Sequence, residues 1–179
     1  MADDTTGEIK ETLQQEAEAY QDGSDQPLLG YATTASVYLA LAGAGLLAAR
    51  RYRGRGATAA AAADVGPWDL LLMGLTTHKL SRLVAKDPVT SPLRAFFTRF
   101  KGVSAPSELA EEVRGQGGRR AVGELITCPF CTAQWVATAY AFGLVFAPGV
   151  TRGAGAVFSA VAVSDWLQLA YVRLQKAQE

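Results

Sequence analysis

The chain is poor in the residues from which most catalytic and metal sites are built: it has two cysteines, one histidine and two methionines in 179 residues. Two cysteines exclude a small secreted domain held by several disulfides. A lone His78 leaves no imidazole cluster for a metal or a relay, and no nucleophile, base and orienting group assembles around it in the sequence. Charge of one sign is also missing, because 17 basic groups balance 17 acidic ones. That balance excludes a strongly basic nucleic-acid binder, and the 49% apolar content excludes a wholly disordered chain.

The charges are absent in blocks. None occurs from Gln26 to Ala49 or from Leu125 to Thr151, and Asp165 is the only one from Gly153 to Val172. Each stretch approaches or exceeds the roughly 20 residues that cross a hydrocarbon core of about 30 Å. A weaker stretch, Pro67 to Val84, starts apolar apart from Asp69 and turns polar at Thr76, Thr77, His78, Lys79, Ser81 and Arg82. These runs predict an all-α integral membrane protein with three or four transmembrane helices. Acidic residues ahead of the first run argue against a signal peptide.

The predicted organisation is an acidic, solvated and disordered tail over 1–30, a first span over 31–49 and an Arg/Ala-rich linker over 50–66. A membrane domain follows over 67–173, with helices near 67–85, 92–101, 127–147 and 154–172, and then a tail over 174–179. Within the acidic tail, Ile9, Leu13 and Ala17 recur at helical spacing and predict one helical patch. Eight acids against Lys10 alone in the first 25 residues set a segment of about −7 against a body of about +7.

Positive residues near span ends stay in the cytoplasm. Four spans with the amino terminus inside leave twelve Lys and Arg inside and five outside; three spans with that terminus outside and 67–85 on the inner surface leave fifteen and two. Both arrangements put the central loop and the carboxyl terminus in the cytoplasm and the turn near Pro148 outside.

Ser91-Pro92 reads as a helix start, and Leu93, Phe96, Phe97 and Phe100 would then share one face with Arg94, Arg99 and Lys101 around the other. This predicts an amphipathic helix that either lies at the membrane interface, its cations meeting anionic headgroups, or packs on the cytoplasmic ends of the spans. Lys79, Arg82, Asp87, Arg94, Arg99 and Lys101 form the predicted ion-pair or headgroup cluster, with structural pairing favoured over a ligand site. Asp165 is an intramembrane carboxylate suited to pair with Lys79 or Arg82.

Cys128-Pro129-Phe130-Cys131 opens a long apolar helix, where the positive end of the helix dipole favours thiolate. Nothing around it alternates as a thioredoxin fold would. Three readings stay open: packing, thiol redox chemistry, or a metal completed by His78 with Asp87 or Glu124 or shared between copies. No cofactor is expected otherwise. Trp135 shares the helix face of Cys131 and reads as a packing or interface anchor.

The strings HKLSRLVAKDPVTSPLRAFFTRF and GELITCPFCTAQWVA together resemble the bacterial membrane family catalogued as domain of unknown function 1360, some of whose members are labelled sporulation proteins. The resemblance covers about residues 68–172 and rests on Arg82, Asp87, Pro92, Leu93, Arg94, Glu124, Leu125, Cys128, Pro129, Cys131 and Trp135. Lys79 stands where the family's first arginine is expected. The family carries no established activity, so the resemblance implies only a helical protein of the bacterial cytoplasmic membrane. A non-enzymatic scaffold, touching lipid and an unidentified membrane or cytoplasmic protein or a second copy of itself, is the leading expectation. Membrane thiol redox or metal handling is its competitor.

Overall fold

The computed structural model describes residues 2–21, 24, 26–54 and 65–177. It is mostly helical. Helix α1 (Ala2–Gln21) is followed by α2 (Leu28–Gly54), α3 (Pro67–Lys86), a 3₁₀ turn (Pro88–Thr90) and the single-turn α4 (Ser91–Arg94). A β-hairpin of β1 (Thr98–Ala105) and β2 (Glu108–Val113) comes next, and then α5 (Gly117–Thr127), α6 (Pro129–Phe146) and α7 (Pro148–Lys176). Most of the predicted linker, 55–64, lies outside the described residues.

Proline punctuates this chain at helix starts. Pro67, Pro129 and Pro148 each occupy the first turn of a long helix, where a missing N–H costs nothing and a fixed φ favours the helix. The last helix therefore begins at Pro148, six residues before the predicted start at 154. Among the described residues two helices, over Leu28–Tyr52 and Pro148–Lys176, are long and apolar enough to cross a membrane.

Two predictions need correction. The acidic amino-terminal segment is helical over Ala2–Gln21, not only around its apolar patch, and from Gly7 onward it is largely exposed. The predicted amphipathic helix over 92–101 ends at Arg94, and an antiparallel hairpin replaces its second half, with Thr98 opposite Val113 and Ala105 opposite Glu108. The fold is thus not purely α. The Leu93-Phe96-Phe97-Phe100 spacing suits a helix, but Thr98, Phe100 and Val103 suit a strand. Gly102 at φ +142 and the turn at Pro106-Ser107, with Ser107 at φ 60, adopt backbone that a helix cannot hold. The register slips at Lys101 and Ser104 bend the ribbon.

Named contacts fix the relative directions of α2, α3, α6 and α7. Gly30 packs at Ala121, Tyr38 meets Trp135 and Thr138, and Tyr52 meets Phe146, so α2 runs parallel to α5 and α6. Asp69 pairs with Arg152, Thr76 with Ser159 and Lys79 with Asp165, so α3 runs parallel to α7. The tight connection at Ala147 turns α7 back along α6, with Gly143 against Thr151 and Gly155 against Tyr140. The start of α2, the end of α3, the hairpin, α5 and the end of α7 therefore share one end of the bundle.

The packing is inverted relative to a water-soluble bundle. On α2 the less exposed residues are Gly30, Tyr31, Thr34, Tyr38, Ala42, Gly45 and Ala49, whereas Leu29, Val37, Leu39, Leu41, Leu46 and Leu47 face outward. Helix α3 buries Asp69, Thr76 and Ser81 beside Leu72 and Ala85, while Trp68, Leu70 and Leu71 are exposed. Helix α7 buries Gly155, Ser159 and Ala162. Small residues let helix backbones approach, and hydroxyls bond across the gaps. The Thr76 hydroxyl donates to Gly155 O at 3.1 Å, and that of Ser159 to Leu72 O at 3.2 Å.

Candidate functional site

The charged end of the bundle gathers most of the residues singled out by the sequence, but with other partners than expected. Helix α3 stops at Asp87-Pro88, since the residue before proline leaves helical geometry. The Asp87 carboxylate caps the 3₁₀ turn by accepting from Val89 N–H at 2.9 Å. It makes no ion pair with Arg82 or Arg94, which corrects the predicted cluster.

Arg94 is 1% exposed and ties four segments together. Its Nε donates to Glu111 Oε2 at 2.5 Å, Nη1 to Val84 O at 2.7 Å and Thr90 Oγ1 at 2.6 Å, and Nη2 to Asp87 O at 3.0 Å. Val84 O is among the terminal carbonyls that α3 cannot satisfy itself. Arg82 pairs with Glu108 at the hairpin tip. Both carboxylate partners lie in ELAEEV, a segment whose strand geometry the sequence analysis missed. Its acids and apolar residues come in pairs rather than alternating, so no period of two announces the strand.

Lys79 Nζ meets Asp165 Oδ2 at 2.7 Å, the partnership expected between the weak stretch and the last apolar run. Beside it, between the adjacent residues of the two helices, the Trp166 indole N–H donates to His78 Nε2 at 3.3 Å, with the rings edge to face. Together with Arg82, Lys86 and Glu108 these side chains line a cavity of about 450 Å³. Arg99 and Lys101 point away on exposed strand positions, and Lys101 pairs with Glu112 at 2.6 Å. The six predicted cluster residues thus divide into a buried tie, a cavity wall and an exposed ribbon. The Glu112 carboxyl is held below its usual range by the hydrogen bond from Lys101, and further by the charges of Lys101 and Arg99.

A second pair stands at the opposite end. Arg152 clamps Asp69 through both carboxylate oxygens, at 2.7 and 2.9 Å. Both residues were visible as solitary charges at the outer ends of apolar runs, but their pairing required knowing that α3 and α7 run parallel.

Cys128 is the N-cap of α6 and Cys131 lies in its first turn; both are free thiols. Cys131 N–H donates to Cys128 Sγ at 3.3 Å. Burial raises the Cys128 thiol. Hydrogen bonds from the Cys131 side chain and from the N–H groups of Cys131 and Phe130, with the Lys86 charge, outweigh that effect and hold it below the usual thiol value. Glu124 accepts from Arg120 Nε at 2.9 Å and from the Tyr31 hydroxyl, and Asp87 is engaged at its cap. Among the described residues no group of three or more His, Cys, Asp or Glu side chains gathers as a metal site, and His78 packs on Trp166. The ligand set of Cys128, Cys131 and His78 with Asp87 or Glu124 is therefore not assembled within one chain. Trp135 meets Tyr38 edge to face at 5.2 Å and anchors α2 to α6.

No solved structure matches the chain. Sporulation protein YjcA of Bacillus subtilis (strain 168) is 32% identical over 71 residues, which are 38% of this chain and 60% of that relative. The chain thus spans less than two thirds of the relative's length. The model of the family described as a protein of unknown function, DUF1360, matches residues 72–171, from the buried Leu72 of α3 through the hairpin, the cysteine pair and nearly all of α7. That match extends over more than half of the chain, and the protein belongs to this family.

Proposed function

We propose that the protein is a four-pass component of the bacterial cytoplasmic membrane that serves as an assembly partner for other proteins. The observation that carries the membrane part is the inverted packing. Leu39, Leu41, Leu70, Leu71, Val157 and Leu167 are turned outward, while Thr76, Ser159 and Ala162 are buried. A surface of that kind is stable in lipid and would associate in water.

Helix lengths support all four crossings. At about 1.5 Å per residue the 20 residues of α3 and the 18 of α6 extend roughly 30 and 27 Å, close to a hydrocarbon core. The parallel course of α2 and α6 favours four spans over three, since the three-span arrangement needs them to run in opposite directions. With the amino terminus inside, twelve Lys and Arg stand on the cytoplasmic side and five outside.

The assembly part rests on what the charged end offers: an acidic helix α1 with Ile9, Leu13 and Tyr20 exposed, and a hairpin region exposing Phe96, Phe100 and Val103 beside Arg99 and Lys101. The hairpin region suits anionic headgroups at the inner surface. Helix α1 suits a protein partner or a second copy. Photo-crosslinking from Leu13 and Phe96 in native membranes tests this. A discrete protein adduct from Leu13 and lipid adducts from Phe96 are expected, and no protein adduct from either position would refute the assembly role.

A further inference from the structure

The two thiols are not used by that reading, and packing does not account for them. Cysteines that serve as small apolar filler are buried, whereas Cys131 is exposed and Cys128 half-buried, apart from the core cluster of Leu72, Tyr140 and Leu144. Phe130 between them is 89% exposed. Cys128 has extended backbone, φ −98 and ψ 109, outside the helix proper, while Cys131 is set one turn in. Residues three apart on a helical turn hold their Cβ atoms about 5–6 Å apart. A disulfide needs about 3.5–4.5 Å, a distance that rotation at the cap residue can close without unwinding α6. The amide of Cys131 lies in the first turn of α6, where no carbonyl of that helix can accept it, and reaches the Cys128 sulfur.

We propose that Cys128 and Cys131 form a thiol–disulfide exchange centre at the cytoplasmic end of α6, with Cys128 attacking and Cys131 resolving, and with a disulfide as the oxidising substrate. The Cys128 thiolate attacks one sulfur of RS–SR, forming Cys128–S–SR and expelling RS⁻, which takes a proton from water. Cys131 then loses its proton to water and attacks Cys128 Sγ, closing the intramolecular disulfide and expelling the second RS⁻, which is protonated in turn. The substrate gains two electrons and two protons, and the dithiol loses them. Cys128 takes the first step because its sulfur receives the Cys131 amide, an arrangement that stabilises negative charge there. Its lowered thiol pKa agrees.

The test uses the full-length, reduced protein in lipid nanodiscs, with oxidised glutathione as the probe, acid quenching, alkylation and intact mass analysis. Wild type is expected to lose both alkylation sites and retain no glutathione. Cys131→Ser should keep one glutathione on Cys128, and Cys128→Ser should react at least tenfold more slowly. Equal rates in the two single variants, or a wild type whose thiols both stay alkylatable, would overturn the proposal. Should a variant fail to insert, competitive alkylation of wild type decides: Cys128 modified several-fold faster is expected, and Cys131 modified first overturns it. Inert thiols in a correctly inserted chain would refute this chemistry and leave the four-pass reading standing.

Discussion

Arg94 offers the sharpest quantitative prediction, because one side chain joins the end of α3, the 3₁₀ turn and the hairpin. Replacing it with methionine leaves the Glu111 charge, whose side chain is 6% exposed, without its cation, and removes one donor each from Val84 O and Asp87 O, which then keep only Thr90. Breaking a buried pair from one side costs about 3–5 kcal/mol. The cost falls on docking of the hairpin against α3, so it is best read as local opening rather than as a melting temperature. At about 1.4 kcal/mol per factor of ten, amide exchange in β1 and β2 should accelerate roughly 10²–10⁴-fold. Exchange within α6, which makes no bond to Arg94, should hold. Arg94→Lys keeps the charge near Glu111 but loses the fork that reaches two carbonyls, and should accelerate exchange about 10–100-fold, for a loss of roughly 1.5–3 kcal/mol. Arg94→Met combined with Glu111→Leu removes both charges and should recover most of the protection. Hydrogen exchange of the protein in nanodiscs reads all three variants. An Arg94→Met hairpin that exchanges within threefold of wild type would refute the reasoning.

Other outcomes follow from the same geometry. Gly30→Ala should separate α2 from α5, because the new Cβ would sit 2.7 Å from Ala121 Cβ and 3.1 Å from Gly117 O, where backbone cannot yield; loss of a crosslink between cysteines at 31 and 124 reads it. Asp165→Asn should lower thermal stability in detergent by leaving Lys79, 17% exposed, without its carboxylate, and adding Lys79→Met should restore part of it. An unchanged Asp165→Asn protein would show the pair to be solvated. Alkylation of Cys128 should reach half its maximal rate at a pH below that of a free cysteine, about 8.5; a midpoint at or above that value would show that burial outweighs the hydrogen bonds.

The apolar runs made the long helices legible, and charge-free length is the property that lipid selects. Their relative directions were half legible, through the positive charges. The Lys79–Asp165 pair was half anticipated: Asp165 is the only charge in its run, but Lys79 and Arg82 both lie at the matching level of α3. The hairpin was not, since the aromatic spacing from Leu93 to Phe100 satisfies a helix as well as a bent ribbon, and only Gly102 and Pro106-Ser107 distinguish them. Its acids stayed hidden for that reason, and Asp87 was assigned a role that Glu111 performs. Helix α5, opened by Gly117-Gly118, carries too much glycine for its pattern to register. The cysteine pair was visible as a motif. Only its geometry, with Cys128 on the cap accepting from Cys131, distinguishes the two sulfurs.

The central claim is the four-pass arrangement, and impermeant maleimide labelling of single cysteines in a Cys128→Ser, Cys131→Ser background tests it most directly. Val150→Cys, on the exposed first turn of α7, should be labelled in intact cells, whereas Ile9→Cys should be labelled only after the membrane is opened. Labelling of Ile9→Cys in intact cells, or protection of Val150→Cys, would contradict the account.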